Sequence, residues 1–214
     1  MTSREFRDRL ARRAEKGAVA LTATTIEQLE AYYRLLARWN TKINLTALSL
    51  QELNDQAIDR LLVEPLAAAR FVADSPLIWF DLGSGGGSPA IPLKIVRPAA
   101  RLTMVESKAR KAAFLMEAVR TLGMSHASVA HARFEEVAAK PEVQQQADLV
   151  TVRAVKADQV LFGVARSLLR ETACLLMFRS DAVRPTPAQG FDVRQVARLS
   201  DGANPAHLVV CKRR

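Results

Sequence analysis

Cysteine is almost missing: Cys174 and Cys211 are the only two in 214 residues. Two thiols make no disulfide scaffold. A chain this long buries about 70–75% of its unfolded surface and needs none. Both are expected as free, apolar core residues. Histidine is scarce too, and His126, His131 and His207 show no metal-ligand spacing, so no metal is expected. No run approaches about 18 uncharged apolar residues, which argues against a membrane span. The first stretch, MTSREFRDRLARRAEKG, is charged and lacks an apolar segment, so no secretory signal is expected and the cytoplasm is the expected location. Nine glycines and nine prolines exclude a collagen-like or low-complexity chain.

Positive charge is what the chain has in excess. Lys and Arg total 31 against 22 Asp and Glu, a formal net charge of +9. A polyanion such as nucleic acid is one reading; a basic surface that keeps the protein soluble is the other. The densest cluster is Arg4, Arg7, Arg9, Arg12, Arg13 and Lys16, either a solvated helix face or an arm on RNA phosphates. Others are Lys108, Arg110 and Lys111, and Lys212, Arg213 and Arg214.

Residues 1–75 read as a helical subdomain. Thr25 with Gln28, and Ser49 with Glu52, have the spacing of capping boxes. Ile26, Leu29, Tyr33, Leu36 and Ala37 recur at helical spacing, with a helix end near Asn40. Pro65 breaks a second helix or starts the next. From residue 76 to 214 the pattern changes. Short apolar runs at 77–80, 102–105, 127–130, 148–152 and 174–178 read as strands, with helices over 108–122 and 159–169. A loop follows over 179–190, then two closing strands at 193–199 and 208–211. Strands alternating with helices predict an α/β fold with a mostly parallel sheet covered on both faces.

The strongest local signal is Asp81-Leu82-Gly83-Ser84-Gly85-Gly86-Gly87, at the end of a predicted strand. Glycines there permit positive φ and close backbone approach to a ligand. A dinucleotide and S-adenosylmethionine are the two tenants to weigh. The dinucleotide fingerprint needs a small apolar residue three positions after its second glycine, and Ser88 is a misfit. Asp81 faces a pyrophosphate badly but suits a cationic, amino-bearing ligand. Glu106, 25 residues after Asp81, can accept from two ribose hydroxyls. Together these favour S-adenosylmethionine. In such a fold Phe134 and Glu135 flank the adenine; alternatively Glu135 and Glu136 only start a surface helix.

The fourth strand ends in Thr151-Val152-Arg153-Ala154. No Asn-Pro-Pro-aromatic cluster and no cysteine follow, so the acceptor is expected to bring its own lone pair. Arg153 then positions or stabilises, or else it forms a salt bridge to Asp81 or Glu135.

Three stretches resemble the glucose-inhibited division protein B (GidB/RsmG) family. They are Trp39-Asn40-Thr41-Lys42-Ile43-Asn44-Leu45-Thr46, the glycine loop continued by Ser88-Pro89-Ala90-Ile91-Pro92-Leu93, and Val152-Arg153-Ala154. The resemblance implies a Rossmann-like methyltransferase fold with a seven-stranded sheet and an N-terminal helical extension. It implies methyl transfer from S-adenosylmethionine to N7 of a guanine in 16S ribosomal RNA, free or in an assembling 30S particle, by a protein that is a monomer by default. Gly83, Ser88, Phe134, Glu135 and Arg153 would then contact the cofactor, with Asp81, Gly85, Gly87 and Glu106 completing its site. Arg153 and Asn44 would serve catalysis, and Asn40, Asn44 and Arg179 would face the substrate. Asn40 and Asn44 also read as helix caps, and Tyr33 and Trp39 as either core residues or stacking partners for a flipped base. Where the family usually has His-x-x-Asp-Ser, this chain has Gln56-Ala57-Ile58-Asp59-Arg60; where it has Lys-Gly, the chain has Arg179-Ser180. Rival readings are a paralogue acting on another RNA, a small-molecule methyltransferase, a non-catalytic RNA-binding protein and a dehydrogenase.

Overall fold

The computed structural model describes residues 2–50, 52–180, 190–200 and 205–214. Most of the loop expected over 179–190 lies outside them.

The chain begins with helix α1, Ser3–Lys16, closed by a reciprocal box between Thr2 and Glu5. Phe6, Leu10 and Ala14 fall on one face and are buried. Of the arginine cluster, Arg4, Arg7, Arg12 and Lys16 are exposed. Arg9 donates to the Leu53 carbonyl and Arg13 to Asp59, so two of the cluster's cations are held against residues 53–59.

Helix α2 runs Ala23–Asn40 and ends where expected. Its cap is Thr22, whose hydroxyl accepts from the Thr25 N–H; Thr25 therefore sits inside the first turn. The box at Ser49 and Glu52 is likewise not used. Asn54 caps the next helix by accepting from the Gln56 N–H. In both places another residue of good capping type takes the role, three residues before Thr25 in α2 and five after Ser49 in the next helix.

α3, Asp55–Ile58, passes through a π-helical turn, Asp59–Val63, into α4, Glu64–Ala68. Pro65 does not break this run. It occupies the first turn of α4, directly after the wide turn.

The sheet has seven strands: β1 Ile78–Leu82, β2 Arg101–Glu106, β3 Ala127–His131, β4 Ala147–Arg153, β5 Leu169–Arg179, β6 Phe191–Arg198 and β7 His207–Arg213. Their order is β3-β2-β1-β4-β5-β7-β6. The first five are parallel, and β7 pairs antiparallel with both β5 and β6. The seven-stranded, mostly parallel sheet is the one expected. β1 reverses the direction of strand order, so the loops after β1, β2 and β4 meet at one crevice.

Helices cover both faces. α5, Ala90–Val96, and α6, Ala109–Thr121, join α2 and α4 on one side, in a core that includes Leu36, Leu62, Leu93, Leu102 and Phe114. α7, Phe134–Ala138, and α8, Gln159–Leu168, cover the other, around Leu82, Val150, Phe162 and Leu175. α5 has no counterpart in the sequence reading, because Pro89 and Pro92 bracket its start. Both lie where a helix has no N–H to satisfy, so neither prevents it. Among the described residues no helix is long and apolar enough to cross a membrane, and no cluster of potential metal ligands occurs.

Candidate functional site

β1 ends in the glycine loop. Gly83, Gly85 and Gly87 have φ of 72°, 52° and 84°. A Cβ at Gly87 would stand 2.4 Å from Ile91 Cδ1, so that glycine serves packing onto α5. A Cβ at Gly85 would meet nothing nearer than 3.8 Å. Gly83 and Gly85 line the crevice; Gly87 lies outside its lining.

Two cavities open along the carboxyl ends of the strands. The larger, about 440 Å³, is lined by the glycine loop, Ser88, Glu106, Lys111 and Arg153, with Leu45–Leu48, Gln56 and Arg60 as its outer wall. The smaller, about 310 Å³, holds Phe134 and Glu135 beside Val105 and Lys108. They share Gly83 and Glu106. Glu106 fastens this junction: one carboxylate oxygen accepts from the Gly85 N–H at 2.9 Å, the other from the Lys108 N–H at 2.8 Å. Each oxygen keeps a lone pair for a further donor.

Asp81 lines neither cavity. It lies beneath the loop, almost wholly buried, because its strand runs between β2 and β4. Trp79 Nε1 donates to Thr151 Oγ at 2.8 Å, and Thr151 Oγ donates to an Asp81 carboxylate oxygen at 2.5 Å. The Ser84 hydroxyl donates to the Asp81 carbonyl. Burial pushes the Asp81 carboxyl up to about 6, against the pull of the Thr151 hydrogen bond and of Arg153. Asp81 thus shapes the loop from below and does not project into the crevice.

Arg153 is the best-held side chain of the site. The expected salt bridge to Asp81 or Glu135 is absent; the partner is Glu64, at 3.1 Å. Arg153 Nη1 donates to Ser88 Oγ at 3.0 Å and also to the Arg60 carbonyl, and the guanidinium lies 4.6 Å from the Phe178 ring centroid. Burial lowers its pKa to about 10, with Glu64 opposing. Glu64 is itself raised by burial, against Arg153 and Arg60, which both favour its charge.

The π-helical turn explains this arrangement. There the Glu64 N–H bonds the Asp59 carbonyl, one residue further back than in an α-helix, and Pro65 has no N–H at all. Two carbonyls are left to find other donors. That of Arg60 accepts from Arg153, and that of Leu61 accepts from Ser88 Oγ at 2.9 Å. A local break in the helical ladder becomes the anchor for two side chains of the crevice.

The proposed substrate residues lie outside both cavities. Asn40 Oδ1 accepts from the N–H groups of Leu45 and Thr46, at 2.9 and 3.0 Å. It therefore folds the loop that forms the outer wall. Asn44, on that loop, is exposed and has no hydrogen bond among the described residues. Arg179 ends β5 opposite His207, away from the crevice lining. Tyr33 is a core residue against Phe6, and Trp39 packs edge-on to Phe114 with its Nε1 donating to Glu117.

Tyr32 and Glu64 escaped the sequence reading, and Arg60, Lys111 and Thr151 were not read there as residues of the site. Glu64 carried a signal: it is the single charge in Leu61–Ala69, and a lone acid in an apolar helical run needs a partner. Thr151 is the one hydroxyl in the strand run DLVTV.

The family described as GidB, rRNA small subunit methyltransferase G, matches residues 25–200. Ribosomal RNA small subunit methyltransferase G of Stenotrophomonas maltophilia (strain K279a) is 37% identical over 198 residues, 90% of this chain and 89% of that protein. The protein of the same name from Roseiflexus sp. (strain RS-1) is 38% identical over 69% of this chain, which spans 62% of that relative's length. Among solved structures, a SAM-dependent methyltransferase from Aquifex aeolicus superposes with a TM-score of 0.58 at 12% identity, over 75% of this chain and 94% of that one. M. jannaschii TYW2 in complex with AdoMet gives 0.52 at 15% identity, over 68% and 71%. At such identities these two structures speak for the fold alone. With the match over residues 25–200 and relatives above 30% identity along most of its length, the chain belongs to the GidB family of small-subunit ribosomal RNA methyltransferases.

Proposed function

We propose that the joined crevice binds S-adenosylmethionine and presents it to a guanine N7 of 16S ribosomal RNA. Family membership makes the chain a methyltransferase of small-subunit ribosomal RNA with S-adenosylmethionine as donor. The observation that carries the assignment of the site is the pair of cavities meeting at Gly83 and Glu106. This shape fits an elongated ligand with a ring at one end and an amino-acid tail at the other. Phe134 and Glu135 take the adenine, Glu106 accepts from the ribose hydroxyls, and Gly83, Gly85 and Ser88 take the amino-acid end. The bound cofactor supplies a methyl group activated by a sulfonium.

The chain's own part is alignment. Among the described residues, Glu106 is the only acid lining the larger cavity, and both its oxygens are held by backbone N–H groups. No general base is on offer there, which suits an acceptor such as guanine N7 with a free lone pair. Alignment of this kind is worth about 7–11 kcal/mol. Arg153, fixed on three sides, orients the reactants at the mouth between the glycine loop and residues 45–48. The helical residues 1–75 supply that outer wall and residues 76–214 the cofactor-binding body. Asn44 at the rim, and Arg179 beyond it, meet the RNA rather than the cofactor. The basic surface attracts the phosphate backbone. The protein acts as a monomer in the cytoplasm, on free RNA or on the assembling 30S particle.

The test is methyl transfer from labelled S-adenosylmethionine to undermethylated small subunits, free ribosomal RNA and transfer RNA, followed by nucleoside analysis. Label in 7-methylguanosine of the small-subunit RNA is the expected result. Tight cofactor binding with no label in any RNA would overturn the substrate assignment.

A further inference from the structure

Positive charge is crowded around the larger cavity: Arg60, Lys111 and Arg153 line it, and Arg153 is almost wholly buried. S-adenosylmethionine carries a sulfonium that its product, S-adenosylhomocysteine, lacks. A cavity walled by arginines would repel the donor and spare the product. Glu64 sits between two of these cations. Its Oε2 lies 3.3 Å from Arg60 Nη1 and 3.1 Å from Arg153 Nη2, and its side chain is only 4% exposed. Arg60 and Glu64 are one helical turn apart, and both arginines converge on the same carboxylate oxygen.

We infer that Glu64 is a positioning residue and buried counter-ion: it holds Arg153 in place, and its charge lets a twice-arginine-lined cavity accept a sulfonium ligand in preference to its neutral counterpart. The inference rests on the cofactor reading above. It goes further by assigning a role to a residue outside the cavity lining and to Arg60, which stands where the resembled family usually has serine. The three side chains form a set with one net positive charge. Removing the carboxylate raises that charge, and removing the Arg60 cation cancels it. The two changes should shift donor selectivity in opposite directions, an effect that loosened packing alone cannot produce.

The experiment measures dissociation constants of S-adenosylmethionine and S-adenosylhomocysteine for the wild type, Glu64→Gln, Glu64→Asp, Arg60→Gln and the Arg60→Gln/Glu64→Gln double variant, with thermal melting of each. In Glu64→Gln the ratio of donor to product dissociation constants should rise about tenfold, the effect of one partly screened charge. Glu64→Asp, which keeps the charge, should move it less. Arg60→Gln should lower the ratio severalfold, and the double variant should return it towards the wild type. Arg60 is the more exposed partner, at 29%. Arg60→Gln therefore decides the matter even where Glu64→Gln does not fold. Equal weakening of both ligands, or an unchanged ratio in Arg60→Gln, would overturn the inference. A wild-type protein that binds neither ligand would instead sink the cofactor assignment.

Discussion

The Tyr32 hydroxyl, on the second helix of the N-terminal segment, donates a 2.6 Å hydrogen bond to the carbonyl of Gly86 in the glycine loop. The hydroxyl's own pKa is raised by burial. The bond ties α2 to the turn after β1 across 54 positions of sequence. Nearby, the Leu45 carbonyl would lie 3.2 Å from a Cβ at Gly86, so loop and helical wall are packed as one surface. Tyr32→Phe leaves a buried carbonyl without its donor, which costs about 1–3 kcal/mol. We expect a lower melting temperature and weaker binding of S-adenosylmethionine, read by calorimetry. Unchanged cofactor affinity would show that the wall and the loop act independently.

The loop glycines differ in what they protect. Gly87→Ala forces a methyl against Ile91 and an L-residue into a left-handed conformation, at a cost of about 3 kcal/mol in all. Gly85→Ala meets open space and costs about 1–2 kcal/mol from backbone strain alone. Denaturant unfolding should rank Gly87→Ala as the more damaged protein, whereas cofactor titration should rank Gly85→Ala as the weaker binder relative to its stability.

Asp81 gives a pH dependence with a definite sign. Its carboxyl is pushed up to about 6 by burial, above the value it has in the unfolded chain. Between about pH 4 and 6 the folded protein keeps a proton that the unfolded chain has released. The group's contribution therefore favours folding at acid pH and is lost as pH rises through 6. Two pKa units correspond to about 3 kcal/mol. Asp81→Asn keeps the acceptor for Thr151 and removes the ionisation. It should be more stable than the wild type near pH 8, with the gap closing towards pH 4, in melts across that range. A gap that stays constant with pH would show that Asp81 does not titrate there.

Pro65 invites the reverse of a usual proline experiment. Pro65→Ala restores an N–H that competes for the carbonyls now held by Arg153 and Ser88. Helical propensity rises while the crevice loosens. The expected outcome is stability within about 1 kcal/mol of the wild type and a weaker affinity for S-adenosylmethionine. Tighter binding would mean that the proline constrains the site without helping it.

Much of this could be read from the residues in order. Apolar runs of strand length, followed by Asp81, Glu106, His131, Arg153 and Arg179, marked the first five strands and the crevice at their ends. Gly83, Glu106 and Arg153 reach the crevice because, in a parallel sheet, residues at or just past the end of a strand face the carboxyl edge. Which residue caps a helix is not settled by type alone, because Thr22 and Thr25, or Ser49 and Asn54, are candidates of similar chemistry a few positions apart.

The partners of those residues were not legible. Glu64 and Arg153 lie 89 positions apart, and nothing in either neighbourhood names the other. Asn40 reads in sequence as a substrate ligand or a helix cap, and only the fold shows its Oδ1 accepting from the N–H groups of Leu45 and Thr46. Pro65 reads as a helix break or a helix start; only the folded chain shows it in the first turn of α4, with nearby carbonyls taken by Arg153 and Ser88. Periodicity, glycine spacing and strand-end residues are local, and so the sequence by itself determined the strands, most of the helices and the glycine loop at the floor of the crevice. Which buried charge meets which, and which polar group is consumed inside the fold, depend on desolvation and distance across chain segments far apart in sequence. The tertiary structure alone decided those.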